Sequence, residues 1–234
     1  MSIKEQVYVD ERPADLYMRF HERTRSRPPD LMYELVRIIT CSIYAPLNRV
    51  RAIDPQNVPA SGPVILVPNH SSFIDHFYTG FHLRRRLQFM AKSQIFKLPM
   101  SFVYNHGGVF PVQRGRSDEE AFKTAHAILQ RDGSVLMYAE GGRTRTGRPG
   151  EAKRGVGRLA LESGVTVVPV ALYGSQFTRE FRRLRFPQVT VRYGTPLRFD
   201  PVENPSPQMQ SEASRIVFDR VVTMWNELEA ARAK

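Results

Sequence analysis

PVILVPNHSSFIDHF, residues 63–77, passes from an unbroken apolar run into two histidines, two serines and an aspartate. A short apolar run bounded by Gly62 and prolines reads as a strand buried on both faces. Ser71 or Ser72 then offers an N-cap, which predicts a helix over 72–83. Strand, turn and helix in this order place His70 on the turn at the carboxyl end of a strand, where α/β sheets carry their ligands. Asp75 follows in the first helical turn. Positions i and i+5 do not share a face of a continuous helix, so imidazole and carboxylate meet only because the turn comes between them. Two readings of Asp75 stand at this point. It can accept a hydrogen bond from one imidazole nitrogen and make the other a better base, or it can close a Ser72-Phe-Ile-Asp75 capping box.

Outward from this stretch the pattern alternates. Further strands are predicted over 87–91, 108–113, 134–139, 165–172 and 187–193, with helical segments over 93–104, 118–131 and 152–163. Ser117-Asp-Glu-Glu120 is a capping box, and Gly164 is a natural helix-ending glycine. Residues 206–234 read as a long closing amphipathic helix. Strands alternating with helices give an α/β fold: a single domain with a mostly parallel central sheet flanked by helices. Residues 1–47 read as an N-terminal arm with an amphipathic helix, and residues 48–234 as the α/β domain.

Composition narrows the class. The chain has 234 residues, 41% of them hydrophobic, enough for one cored domain. A single cysteine, Cys41, excludes an internal disulfide and fits a reducing compartment. The first fifteen residues hold no apolar run ahead of a cleavage site, so no secretory signal is expected. A formal charge of +11 suits polyanionic partners: nucleic acid, anionic lipid or phosphorylated ligands. Segment 31–47, LMYELVRIITCSIYAPL, is interrupted by Glu34 and Arg37 and falls short of the roughly 20 apolar residues of a spanning helix. With RTRSRPPD just upstream it suits either the membrane interface or a cover on the domain's own core.

Several chemistries lack their residues. His70, Asp75 and His76 do not have metal-ligand spacing, so no metal is expected. No Gly-x-Ser-x-Gly elbow is present. Gly142 to Pro149 fails the P-loop pattern at its closing Lys-Ser/Thr. There is no helix-turn-helix, zinc-finger or RNP signature, so nucleic acid is not the expected partner.

Three more stretches at strand ends, GGVFPVQRG (107–115), YAEGGRTRTG (138–147) and VVPVALYG (167–174), follow NHSSFIDHF in order. Together they resemble the four motif blocks of the glycerolipid acyltransferases, the PlsC-like family that contains 1-acyl-glycerol-3-phosphate acyltransferase. The blocks are His70 to Asp75, Phe110-Pro111 to Arg114, Glu140-Gly141-Gly142-Arg143, and Val167-Val168-Pro169-Val170. The resemblance covers residues 60–200 and departs at Thr144, where serine is common.

The resemblance implies a glycerol-3-phosphate acyltransferase-like fold. It also implies transfer of a fatty acyl group from acyl-CoA or acyl-carrier protein to the hydroxyl of 1-acyl-glycerol-3-phosphate, giving phosphatidate. His70, oriented by Asp75, is then the general base; the acceptor replaces the serine of a Ser-His-Asp triad, and no acyl-enzyme forms. Arg114 and Arg143 would clamp the phosphate, Gly141 and Gly142 would form an anion nest, and Glu140 would support the acceptor. Pro169 shapes the thioester pocket or is a strand-edge proline. No cofactor is implied beyond the thioester co-substrate. The nearest alternative is the same chemistry on glycerol-3-phosphate, another lysophospholipid or an amino-acid-containing lysolipid. The basic clusters 84–86 and 182–185, with Lys92 and Lys97, suit an anionic membrane surface, coenzyme A or acyl carrier protein. The expected location is peripheral, on the cytoplasmic face of a membrane.

Overall fold

The computed structural model describes residues 10–113, 118–177 and 186–232. Among them lie seven strands: β1 (Arg51–Ile53), β2 (Val64–Pro68), β3 (Leu87–Lys92), β4 (Val109–Val112), β5 (Ser134–Leu136), β6 (Thr166–Tyr173) and β7 (Thr190–Tyr193). They form one sheet in the order β1-β7-β6-β2-β5-β3-β4. Every neighbouring pair is parallel except β6 with β7. The single α/β domain with a mostly parallel sheet is therefore as expected.

β2 sits at the centre, and every residue of it is buried. Its side chains alternate between two cores, as a pleated strand requires. Ile65 and Val67 pack with α5 (Glu119–Gln130), α6 (Gly155–Ser163) and α7 (Pro207–Arg232). Val64 and Leu66 face Ile74 and Tyr78 of the opposite layer, which holds α3 (Asp75–Phe81). Gly157 marks the closest approach of α6 to α7: a Cβ there would lie 2.0 Å from the carbonyl oxygen of Gln210. From β2 the chain moves one way through β3 and β4, then returns to β5 and crosses to β6. The carboxyl ends of β2, β5 and β6 therefore meet where the winding reverses, the usual ligand position of such sheets.

Several boundaries differ from expectation for local reasons. The helix predicted from residue 72 begins at Asp75, because neither serine caps it and residues 71–74 form turns. Pro99 splits the segment 93–104 into a 3₁₀ turn, Ser93–Ile95, and α4 (Met100–His106). The strand over 134–139 shortens to β5, and Tyr138 to Gly141 form a turn. β1 was not predicted; three residues with an exposed pattern carry no periodic signal. Asp118 caps α5 through Ala121 N, whereas Ser117 lies outside the described residues.

The N-terminal region holds two helices of opposite character. α1 (Asp15–Ser26) buries Tyr17, Phe20 and His21, and His21 reaches Thr124 of α5 at 2.9 Å. α2 (Leu31–Leu47) buries only Ala45 fully. Its apolar residues point outward, with Leu31 82% and Ile38 61% exposed. No helix among the described residues is long and apolar enough to cross a membrane.

Candidate active site

His70 lies two residues beyond β2, and its position is fixed from several directions. Asn69, completely buried, extends the pairing of β2 with β6: its side chain donates to Leu172 O at 3.0 Å and accepts from Leu172 N at 2.7 Å. His70 Nδ1 is 2.9 Å from Asp75 Oδ2. The same oxygen accepts from the amides of Ser71 and Ser72, each at 2.7 Å. A carboxylate oxygen receiving two N–H donors acts as an acceptor toward the ring as well. The tautomer it selects carries the proton on Nδ1 and leaves a lone pair on Nε2. The two readings of Asp75 thus merge: one carboxylate holds both the turn and the imidazole.

Glu140 holds the turn from the other side. Its Oε2 accepts from His70 N at 2.6 Å and its Oε1 from Gly150 N at 2.7 Å. Burial pushes its pKa up to about 7, with the two amides opposing the shift. Glu140 was expected to support the acceptor; in the structure each of its oxygens accepts from one backbone amide of the chain itself. Gly141 adopts φ +66°, which a glycine tolerates and a side chain resists. Its N–H donates to Tyr138 O at 3.1 Å, so this amide closes a turn rather than joining an anion nest. Gly142 follows, half-buried. Thr144 N donates to His70 O at 2.8 Å, a second tie between the two loops.

The remaining candidates are dispersed. Arg143 is exposed, and Arg114 lies outside the described residues. Pro169 sits inside β6, opposite Val67. Its carbonyl accepts from Gly194 N at 2.8 Å. Its missing N–H falls where regular β6–β7 pairing gives way to the isolated Val167–Leu197 bridge, a position that tolerates proline.

Two cavities flank the turn. One, of about 580 Å³, is lined by Phe73, His76 and Phe77 from the turn and α3, by Val36 and Cys41 of α2, and by Phe89 of β3. Burial lowers the His76 pKa to about 3, so that ring is neutral there. The other, of about 320 Å³, is lined by Ser71, Thr144, Arg145, Arg148, Gln176 and Trp225. Arg148 is held by Glu229 at 2.7 Å. Neither Arg143 nor Pro169 lines either cavity.

A family model described as Acyltransferase matches residues 49–173, a span that holds His70, Asp75, Glu140 and Pro169. The chain belongs to the acyltransferase family. Among curated acyltransferases, it is 35% identical over 138 residues to a chloroplastic 1-acyl-sn-glycerol-3-phosphate acyltransferase of Arabidopsis thaliana, matching 57% of this chain and 38% of that one. It is 29% identical over 126 residues to the human 1-acyl-sn-glycerol-3-phosphate acyltransferase beta, matching 52% and 45% respectively. The matches thus span less than half the length of these relatives. The crystal structure of the 1-acyl-sn-glycerophosphate acyltransferase PlsC from Thermotoga maritima shares the fold, with a TM-score of 0.62 over 92% of this chain and 89% of that one at 21% identity.

Within this acyltransferase domain, sequence reasoning missed Asn69, Tyr138 and Arg145. Asn69 acts through β6, 103 residues away. Arg145 stands two positions beyond the arginine of the third block, and only the course of the loop reveals which of the two faces a cavity. Tyr138 stacks on His70, a contact that no spacing rule foretells.

Proposed function

We propose that the chain transfers a fatty acyl group from a thioester, acyl-CoA or acyl-carrier protein, to the free hydroxyl of 1-acyl-glycerol-3-phosphate, giving phosphatidate. One observation carries this reading: the Asp75-held imidazole stands on a turn whose residues wall an apolar cavity on one side and a basic, polar cavity on the other. A fatty thioester and a phosphorylated alcohol need those two environments next to one base.

His70 Nε2 takes the acceptor hydroxyl proton as that oxygen attacks the thioester carbonyl carbon. The tetrahedral adduct collapses with cleavage of the C–S bond. The leaving thiolate recovers the proton from the imidazolium, so ester and thiol leave with the enzyme unchanged. Asp75 keeps the ring in the required tautomer and favours the imidazolium. The apolar cavity receives the acyl chain, and Arg145 and Arg148 attract the acceptor phosphate in the polar one. The outward apolar face of α2, beside exposed Leu98 and Phe102, seats the domain peripherally on an anionic membrane, the source of a lysophospholipid.

The test offers one radiolabelled acyl-CoA to the purified chain with lysophosphatidate, glycerol-3-phosphate or lysophosphatidylcholine. Labelled phosphatidate from lysophosphatidate alone is expected, and His70→Ala should lower its formation by about 10³-fold with the thermal transition unchanged. Preference for another acceptor overturns the substrate assignment, and full activity of His70→Ala overturns the base.

A further inference from the structure

The imidazole of His70 lies against the ring of Tyr138, with centroids 3.7 Å apart and planes inclined by 15°. We propose that Tyr138 is a positioning residue for His70, its ring face favouring the protonated imidazole over the neutral one. The inference rests on His70 being the general base.

The geometry carries it. Two neutral rings avoid near-eclipsed stacking, because both faces are electron-rich. A centroid separation of 3.7 Å leaves little room for the lateral offset that relieves this repulsion. Protonation of the imidazole reverses the sign: a cation over an aromatic face is attracted to it. The arrangement is therefore better suited to the imidazolium, the state reached as the acceptor hydroxyl gives up its proton. An interaction that strengthens along the reaction coordinate accelerates the chemical step.

The ring, rather than the hydroxyl, does this. Tyr138 Oη is buried and has no hydrogen-bond partner, so it fixes nothing. The backbone around Tyr138 is held firmly instead. Met137 N donates to Leu66 O at 2.9 Å, Gly141 N to Tyr138 O at 3.1 Å, and Lys153 N to Ala139 O at 2.8 Å. Asp75 fixes one edge of the imidazole and Tyr138 covers one face.

Other titratable groups stand close to the ring: Asp75 on the turn, His76 in α3, and Glu140 in the following loop. All are retained when only position 138 changes, so a comparison among variants at this position isolates the ring.

The experiment follows the six histidines by NMR in the full chain labelled at the imidazole, with the His70 signal assigned by its absence from His70→Ala. Tyr138→Leu should lower the His70 midpoint by about half a pH unit, and Tyr138→Phe should leave it in place. Pentafluorophenylalanine at position 138 keeps the shape of phenylalanine but removes the negative face, and should lower the midpoint as leucine does. The acid limb of kcat/KM should move with it. If Tyr138→Leu does not fold, the comparison of phenylalanine with its fluorinated form decides. A midpoint unchanged in the fluorinated form overturns the proposal. Acyl transfer that survives in His70→Ala defeats the base assignment separately, because the NMR titration needs no turnover.

Discussion

The two cavities beside the turn differ in nearly everything except the segment they share. The larger is walled mostly by aromatic and aliphatic side chains, with Arg37 at its α2 side. The smaller is walled by hydroxyls, two arginines, the Glu229 carboxylate, a glutamine, an indole and a phenyl ring. Residues 71–77 serve both, Ser71 on the polar side and Phe73, His76 and Phe77 on the apolar side. This division follows from local geometry, since a tight turn running into a helix sends side chains close in sequence to different sides. His70 itself lines neither cavity; it stands at the head of the turn that contributes walls to both, and that turn is the partition. A partition works only if it stays still, and the carboxylates of Asp75 and Glu140 brace it from opposite directions.

The largest effect is expected from loosening the partition at Asp75. In Asp75→Asn the two serine amides select the amide oxygen for the place of Oδ2, so His70 Nδ1 keeps an acceptor but loses the carboxylate charge that favours the imidazolium. The turnover number should fall by about 10³-fold with KM little changed. Steady-state kinetics on both substrates checks this, and a loss confined to KM would show that Asp75 serves only the helix start.

Glu140 should give the next largest effect, read in stability rather than turnover. Its pKa rises from 4.5 when unfolded to about 7 when folded, because burial disfavours its charge. Between those values the folded state binds more protons than the unfolded one. The contribution of Glu140 to stability is therefore complete below pH 4.5 and is lost as the pH rises through 7. Relative to Glu140→Gln, the wild-type chain should lose on the order of 3 kcal/mol between about pH 4 and about pH 8. Urea unfolding of the two proteins at both pH values measures the difference, and parallel pH profiles would contradict it. Burial disfavours the charged form, while the two amides that make the brace favour it and offset part of that cost.

How much of this was legible in the sequence depended on distance along the chain. β2, the His70–Asp75 spacing and the four ordered blocks are local or ordered signals and read directly. The inward face of α2 did not. Its narrow polar stripe of Glu34, Arg37 and Cys41 is plain in the periodicity, yet a period cannot say which side meets the domain. In the structure Arg37 and Cys41 line the apolar cavity while Leu31 and Ile38 face out. The role of Glu140 was hidden for a related reason. Its residue type suggested a ligand for substrate or arginine, and only the approach of two loops 70 residues apart shows that its partner is a backbone amide. Arg182, Arg183 and Arg185 of the second basic cluster lie outside the described residues, so the surface they were expected to form has no structural account.

The smallest effects should separate the cavities most cleanly. Arg145→Gln removes a guanidinium from the polar wall without altering the apolar one. It should raise KM for a phosphorylated acceptor by about tenfold while leaving the preference among acyl-chain lengths intact. Val36→Trp fills space on the apolar side. It should shift the ratio of kcat/KM for long against short acyl donors by about tenfold toward the short ones, with KM for the acceptor unaffected. Because the two side chains share no partner, the double variant should show both changes at their single-variant sizes. Strong coupling, or a chain-length shift in Arg145→Gln, would mean that thioester and acceptor occupy one continuous space and that the 70–77 segment does not divide them. Independence would place the acyl chain and the phosphate on opposite sides of the imidazole, the arrangement in which a hydroxyl and a thioester carbonyl meet only at its Nε2.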